Sequence, residues 1–220
     1  MEPVSGGIFR LDSGLFIKKY MANKLFSRFR IILLSSSPRR IMLLKGADID
    51  FTVETNHGSD ESFDPLMDAS LVPEFLARQK SLSYNRNLTS DEILITADTI
   101  VVCSGEILGK PSSREEATEI LGKLSGKRHT VYTGVCLRDN LREKLFTSST
   151  EVFFKRLTME EIDYYVDNYN PYDKAGAYGA QDWIGLVAIE KIEGSYFNVM
   201  GLPIEMLYTE LYKFLSDKPV

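Results

Sequence analysis

The 220-residue sequence is 44% hydrophobic and 26% charged, and its formal net charge is -5 at neutral pH. These values fit a globular chain with a substantial core, in one domain or two small ones, and they do not favour a disordered chain. The acidic balance argues against a nucleic-acid binder, although a local basic cleft can still hold a small anion. No apolar run approaches the roughly 20 residues that span a bilayer, and no cleavable signal is visible, so we expect a cytoplasmic protein without a membrane partner.

Residues 1–28 are predicted to be an N-terminal leader ahead of a single domain at residues 29–217. The leader carries basic and aromatic side chains, which could form an amphipathic helix at a membrane surface. We favour instead a loose segment before the fold, with Met21 as an alternative start.

The cysteines and histidines do not indicate a metal site or a disulfide framework. Cys103 and Cys136 each lie inside an apolar run, which is typical of reduced core residues. His57 and His129 are the only histidines, and neither stands at a spacing typical of zinc ligands. We therefore expect no zinc.

The domain begins with a strand, a serine loop and a helix in direct succession. A short buried strand is predicted at 31–34, and Ser37 and Pro38 suit the N-cap and first position of the helix that follows. Gly46 is expected just after the end of that helix.

Strand and helix signals then alternate to the end of the chain. Ser112 with Glu115, and Thr158 with Glu161, have the spacing of capping boxes, which begin helices. The other predicted elements are strands at 51–53, 93–102, 107–108, 130–137, 145–154 and 183–190, helices at 73–84 and 204–215, and a loop at 194–203. This alternation favours an α/β or mixed α+β fold, with two lobes around a cleft.

The run SSSPRR at residues 35–40 predicts a phosphate site. Ser35 and Ser37 supply hydroxyls, Arg39 and Arg40 supply permanently charged planar donors, and a helix N-terminus attracts anions through its free N–H groups. In the alternative, structural interpretation the serines only cap the helix and the arginines are solvated, but cations at a helix N-terminus oppose its dipole. The glycines of a Walker loop are absent.

Asp98 stands in the middle of an apolar strand, where a buried carboxylate needs a partner. A structural hydrogen bond from Thr96 or Thr99 is one candidate, and a role as a ligand for Mg²⁺ or as a base for water is the other. Glu61, in an acidic loop, is a second candidate oxygen ligand, although it is also readily explained as a solvated charge.

Three further segments offer groups for a polyphosphate or a flat ligand. Lys80 and Lys110 are single cations at the ends of predicted elements, where they are either solvated or clamp phosphate oxygens. Gln181 ends the small-residue run KAGAYGAQ, in which backbone can approach a flat ligand closely and the amide can bond an imide edge. Ser195 and Asn198, in the segment GSYFNVMGLP, could also face a ligand.

SSSPRR, TADTIV at 96–101, GKP at 109–111, KAGAYGAQ and GSYFNVMGLP together resemble, in order and spacing, the Maf family of nucleotide pyrophosphatases, from about Ile31 onward. The resemblance implies a Maf/ITPase-like fold with an elongated central mixed sheet flanked by helices, two lobes and a nucleotide cleft. It also implies a homodimer and hydrolysis of a nucleoside triphosphate to a monophosphate and pyrophosphate, dependent on a divalent cation, Mg²⁺ or Mn²⁺.

The resemblance assigns roles to individual residues. Asp98 matches the family's catalytic acidic residue, the proton acceptor for the attacking water. Positions that line the phosphate and metal region match Ser35, Arg39, Glu61, Lys80 and Lys110. Positions associated with the choice of base match Arg40, Thr99 and Gln181, in a combination that resembles the branch acting on dTTP and UTP.

The same residues lead to a mechanistic hypothesis, in which Asp98 and Glu61 hold the cation and water attacks the α-phosphorus. Two other interpretations stay open. One is a nucleotide-binding regulator of septum formation or cell division that acts without turnover, a role attached to this family. The other is a nucleic-acid binder that uses the basic leader.

Overall fold

This computed structural model describes residues 24–55 and 62–218. The strands in these ranges form one seven-stranded mixed sheet. Its strands are β1 (Arg30–Leu34), β2 (Thr52–Glu54), β3 (Glu92–Cys103), β4 (Glu106–Leu108), β5 (Arg128–Arg138), β6 (Glu143–Phe154) and β7 (Ile189–Glu193). They follow the order β2-β1-β3-β5-β6-β7, and β4 also pairs with β3. β1 is parallel to β2 and β3, whereas the other pairs are antiparallel. The predicted mixed α/β class is confirmed.

Helices pack on both faces of this sheet. They are α1 (Pro38–Gly46), α2 (Val72–Leu82), α3 (Arg114–Leu124), α4 (Met159–Tyr169), α5 (Trp183–Ala188), α6 (Tyr196–Val199) and α7 (Ile204–Ser216). Ser37 caps α1 as predicted, and Thr158 and Glu161 form the predicted capping box of α4. None of the helices in the described ranges is long and apolar enough to cross a bilayer. Most of the predicted leader, with Met21, lies outside those ranges.

The strand predicted at 183–190 is wrong in its first part. Residues Trp183–Ala188 form α5, and the strand β7 begins only at Ile189. Ile184, Gly185 and Ala188 are buried, which is one face of a helix. A short apolar run fits the periodicity of a helix as well as that of a strand. Here the segment is helical, and Gly185 packs it closely against Ala180 of the preceding loop.

Three local predictions also need correction. The N-cap of α3 is Ser113 rather than Ser112, because the Ser113 hydroxyl accepts from the backbone N–H of Glu116. Gly46 is the last residue of α1 instead of the residue after it. The loop predicted at 194–203 contains the short helix α6.

Two apolar clusters lie towards opposite ends of β3. The first half of the strand packs Ile93, Ile95 and Ala97 into a cluster with α1 and α7. The second half packs Val101 and Cys103 into a cluster with α3, α4 and α5. The middle of β3 therefore lies between two separately packed regions, which agrees with the predicted two lobes. Cys103 and Cys136 are both buried and free, as predicted.

One edge of β3 is interrupted at this middle position. β1 pairs with it up to Ile95, β4 pairs with it from Val101 onward, and β5 occupies the opposite edge throughout. In the described strands, residues 96–100 thus have no partner along the first edge. Asp98 and Thr99 are adjacent in this gap and therefore point to opposite faces of the sheet. Side chains on both faces can thus reach the gap.

His129 is a buried titratable group in the second cluster. It is 1% exposed, its Nε2 lies 2.9 Å from the hydroxyl of Tyr178, and its ring packs edge-on against Phe154. Burial lowers its pKa to about 4, so the folded protein holds a neutral imidazole at neutral pH.

We expect His129 to make the protein less stable in mild acid. The unfolded chain binds this proton near pH 6.5 and the folded chain only near pH 4, so its contribution is complete above pH 6.5 and is lost as the pH falls. The loss amounts to about 3 kcal/mol across that range. Urea unfolding of the wild type and of His129→Gln between pH 7.5 and 4 measures it. Parallel pH profiles for the two proteins would contradict the assignment.

Candidate active site

A cavity of about 410 Å³ opens at the interrupted edge of β3. Its cationic lining residues are Arg39, Arg40, Lys80, Lys110 and Lys174, and its carboxylates are Asp98 and Asp173. Five cations against two carboxylates make the cavity locally basic in a protein whose net charge is -5. This local excess of positive charge fits the anion site that the sequence predicts.

The serine loop between β1 and α1 forms one wall. The Ser37 hydroxyl accepts from the backbone N–H of Arg40, and the Ser35 hydroxyl accepts from the backbone N–H of Ser37 at 3.2 Å. Pro38 occupies the first turn, which contains no acidic side chain. The positive end of the helix dipole therefore faces the cavity without a local counter-charge from its own first turn.

Arg40 connects Ala97, Thr99 and Gly201, which form the floor of the cavity. Its guanidinium donates to the carbonyl oxygens of Ala97 and Gly201, both at 2.8 Å, and to the hydroxyl of Thr99 at 3.1 Å. The bond to Ala97 satisfies a carbonyl at the interrupted edge of β3. Arg40 thus ties α1 to β3 and to the loop after α6, and its predicted part in choosing a base stays a prediction.

Arg39 extends to a different partner. Its Nη1 donates to Oδ2 of Asp173 at 2.8 Å, and Lys174 Nζ donates to Oδ1 of the same carboxylate at 2.7 Å. Although partial burial works to raise the pKa of Asp173, the hydrogen bonds from Lys174 and Arg39 bring it below its usual value. Asp173 is therefore a carboxylate at neutral pH and partly neutralises the cations around it.

Asp98 makes an ion pair with Lys80, which donates to its Oδ1. The residue is only 7% exposed, and it lies on the face of β3 that packs against α2. Of the two hydroxyls considered as structural partners, Thr96 bonds the Ala77 carbonyl and Thr99 bonds Thr133 and Arg40. The compensating charge for Asp98 therefore comes from Lys80 of α2, which the sequence predicts as a phosphate ligand and not as the partner of Asp98.

Gly134 allows α2 to approach closely enough for this ion pair. It lies directly opposite Asp98 in the register of β3 and β5. A Cβ at this position would lie 2.2 Å from the backbone nitrogen of Glu74 and 2.3 Å from the carbonyl carbon of Pro73. Because both atoms are backbone, an added methyl group would force α2 away from the sheet.

We expect Gly134→Ala to destabilise the protein by about 3 kcal/mol, because backbone atoms cannot yield as a side chain does. Lys80 should also move away from Asp98, since it moves with α2. Urea unfolding measures the first effect. Gly122→Ala, in α3 with open space around it, is the matched control and should be stabilising by up to about 1 kcal/mol. Equal stabilities for the two variants would refute the close-approach argument.

Gln181 also lines the cavity. Its Nε2 donates to Oδ1 of Asp182 at 3.2 Å. Its Oε1 is buried and accepts no hydrogen bond from any described residue. A buried amide oxygen without a donor is costly, so a ligand that supplies one would be favoured here.

The structure brings nearly all the predicted site residues to one cavity. Its lining includes Ser35, Ser37, Arg39, Arg40, Lys80, Asp98, Thr99, Lys110 and Gln181. Glu61, the predicted second metal ligand, lies outside the described residues.

The prediction that Ser195 and Asn198 face a ligand is wrong. Neither lines the cavity; Ser195 caps α6, and the fully buried Asn198 amide nitrogen bonds Val131 and Thr150. Sequence reasoning also missed Asp173 and Lys174. Lys174 opens the motif KAGAYGAQ, and a cation beside a small-residue loop was the available signal.

A buried carboxylate facing a ring of cations in a mixed α/β fold defines a protein suited to bind a small polyanion. The chain belongs to the Maf family, because the model described as "Maf-like protein" matches residues 30–214.

Among its relatives, a dTTP/UTP pyrophosphatase of Bacteroides fragilis is 50% identical over 184 residues, or 84% of this chain and 95% of that protein. A dTTP/UTP pyrophosphatase of Porphyromonas gingivalis is 48% identical over 189 residues, or 85% of this chain and 95% of that protein. A solved structure of a HAM1 protein from Coxiella burnetii is more distant. It has 13% identity and a TM-score of 0.43, and the match covers 84% of this chain and 99% of that chain.

Proposed function

We propose that this protein hydrolyses dTTP and UTP to the nucleoside monophosphate and pyrophosphate. The relatives that bear this name are about half identical to it over most of its length. The observation that carries the proposal is that Asp98 and the arginine-bearing start of α1 line the same cavity. This arrangement supports a single ligand that contacts both the Asp98 carboxylate, as the proton acceptor, and the phosphate site at the start of α1.

The triphosphate binds along the cationic wall. About four negative charges need to be neutralised, and cationic clamps do this in phosphoryl transfer generally. The N-terminus of α1, Arg39 and Lys110 receive the phosphate oxygens. Lys80 keeps its ion pair with Asp98 and also contacts the phosphate chain. Phosphate oxygens also replace Asp173 as the partner of Arg39, so binding exchanges one ion pair for another.

The donors at the site fit a divalent cation that is shared with the substrate. Mg²⁺ prefers hard oxygen ligands, keeps several waters, and usually takes one or two carboxylates plus substrate phosphates. The Asp98 carboxylate and the serine hydroxyls of the loop offer such oxygens, and Glu61 is the proposed second carboxylate. In the described ranges, no cluster of three His, Cys, Asp or Glu side chains could hold a metal by itself. When bound, Mg²⁺ or Mn²⁺ supplies charge neutralisation at the phosphates.

Asp98 acts as the base for the attacking water. The water oxygen forms a bond to the α-phosphorus, the bond from that phosphorus to the bridging oxygen breaks, and pyrophosphate leaves. The water proton passes to the Asp98 carboxylate. Lys80 holds that carboxylate at the cavity wall through their ion pair.

The base of the nucleotide lies beside Gln181. Uracil and thymine carry an N3–H donor, which matches the unpartnered Oε1 of Gln181. Cytosine carries an acceptor at that ring position, so its N3 lone pair would face the lone pairs of the Gln181 oxygen. Thr99, held by Arg40 and Thr133, adds a hydroxyl on the floor.

Asp98→Asn should reduce turnover of dTTP and UTP by about 10³-fold, because the amide cannot accept the proton. Steady-state release of pyrophosphate measures the effect. Asp163→Asn, on the exposed side of α4, is the matched control and should keep full activity. Near-normal turnover by Asp98→Asn, with the fold verified by circular dichroism, would remove Asp98 from the mechanism.

A panel of canonical and modified triphosphates with Mg²⁺ or Mn²⁺ tests the function itself. We expect monophosphate plus pyrophosphate from dTTP and UTP, with the activity lost on chelation. Diphosphate plus phosphate would contradict the proposed bond cleavage. Tight nucleotide binding without any product would favour the septum-formation regulator instead.

The family resemblance implies a homodimer, whereas the location and the absence of other partners are separate proposals. We propose a cytoplasmic homodimer that binds neither nucleic acid nor membrane. The net charge of -5 supports the absence of a nucleic-acid partner. Sedimentation at micromolar concentration tests the dimer.

A further inference from the structure

Asp182 makes an unusual set of contacts for its position. It is the residue that precedes α5, where an aspartate side chain normally caps the helix by accepting from its first N–H groups. The side chain of Asp182 makes no such bond. Its two oxygens instead accept from Gln181 Nε2 at 3.2 Å and from the hydroxyl of Tyr165 at 2.8 Å.

Tyr165 holds Asp182 from within the core. The ring is fully buried, and its hydroxyl accepts from the backbone N–H of Gly179 at 3.1 Å while it donates to Asp182. Lys174 Nζ lies 3.8 Å from the same carboxylate oxygen. The position of Asp182 is thus fixed by a buried ring, by the loop backbone and by a cation of the cavity.

Gly179 leaves room for the pair of side chains. A Cβ at this residue would lie 2.5 Å from Oδ2 of Asp182 and 2.9 Å from Nε2 of Gln181. The two side chains therefore fold back across residue 179, and any larger residue there would displace them.

An amide held in this way has one orientation. A carboxylate only accepts hydrogen bonds, so it must face the NH₂ group of Gln181 and not its oxygen. A flip of the amide would lose this bond and set Oε1 against a negative charge. The oxygen is consequently the atom that remains for a ligand, in agreement with its unpartnered state.

We infer that Asp182 is a positioning residue for base selection. It fixes the Gln181 amide so that its oxygen accepts from the ring N3–H of uracil or thymine and disfavours the ring acceptor of cytosine. The inference rests on the proposed function, in which Gln181 contacts the base. Uracil and thymine offer a ring N–H beside a carbonyl, whereas cytosine offers a ring acceptor beside an amine donor. A freely flipping amide would bind both.

Asp182→Asn tests the inference, because asparagine has almost the same shape but can face either end of the Gln181 amide. The ratio of kcat/KM for UTP to that for CTP should fall by about tenfold, through better use of CTP, while kcat for UTP changes by less than about twofold. Tyr165→Phe should move the ratio in the same direction by a smaller factor. Asp163→Asn, with its carboxylate on the exposed side of α4, should leave the ratio unchanged.

Gln181→Ala separates positioning from direct contact. It should lower the ratio at least as far as Asp182→Asn does, and adding Asp182→Asn to it should have no further effect. An unchanged ratio in Asp182→Asn, beside a lowered ratio in Gln181→Ala, would overturn the inference and leave the proposed function intact. If the wild type hydrolyses no triphosphate, the proposed function fails. In that case, calorimetry with a chelator measures the binding of UTP and CTP to the wild type and to Asp182→Asn. The ratio of the two dissociation constants then decides the inference.

Discussion

Along residues 96–100, the edge of β3 that faces β1 and β4 has no partner strand in the described sheet. Strand backbone in that position needs other donors, because a buried carbonyl without one is costly. Arg40 supplies a donor to Ala97, and in doing so it draws the first turn of α1 to the gap. The cavity, the helix N-terminus and Asp98 meet there for this reason. A continuous strand pairing would close the site.

Three of the five cations that line the cavity are bonded to its two carboxylates. Lys80 lies on Asp98, and Arg39 and Lys174 lie on Asp173. Each carboxylate offsets the positive charge bonded to it, which lowers the repulsion among the five cations around the cavity. The cost of assembling this positive charge is thus partly offset in the folded protein, and an anion that enters the cavity would meet donors that are already in place.

Local sequence signals were sufficient for much of this arrangement and insufficient for the rest. The N-cap at Ser37 and the capping box at Thr158 depend on residues within one turn, and both were predicted correctly. The partner of Asp98 depends on the contact of α2 with Gly134, which no spacing along the chain reveals. Residues 183–188 became a helix through packing that a period count cannot detect. Family resemblance placed the site residues in one cavity, but not their partners.

The bond from Arg40 to the Gly201 carbonyl joins two segments that are 161 positions apart in the chain. During synthesis, α1 leaves the ribosome long before the loop that closes the floor of the cavity. The C-terminal helix α7, which shares an apolar cluster with α1, emerges later still. In a nascent chain the floor of the cavity is therefore incomplete until Gly201 has been synthesised.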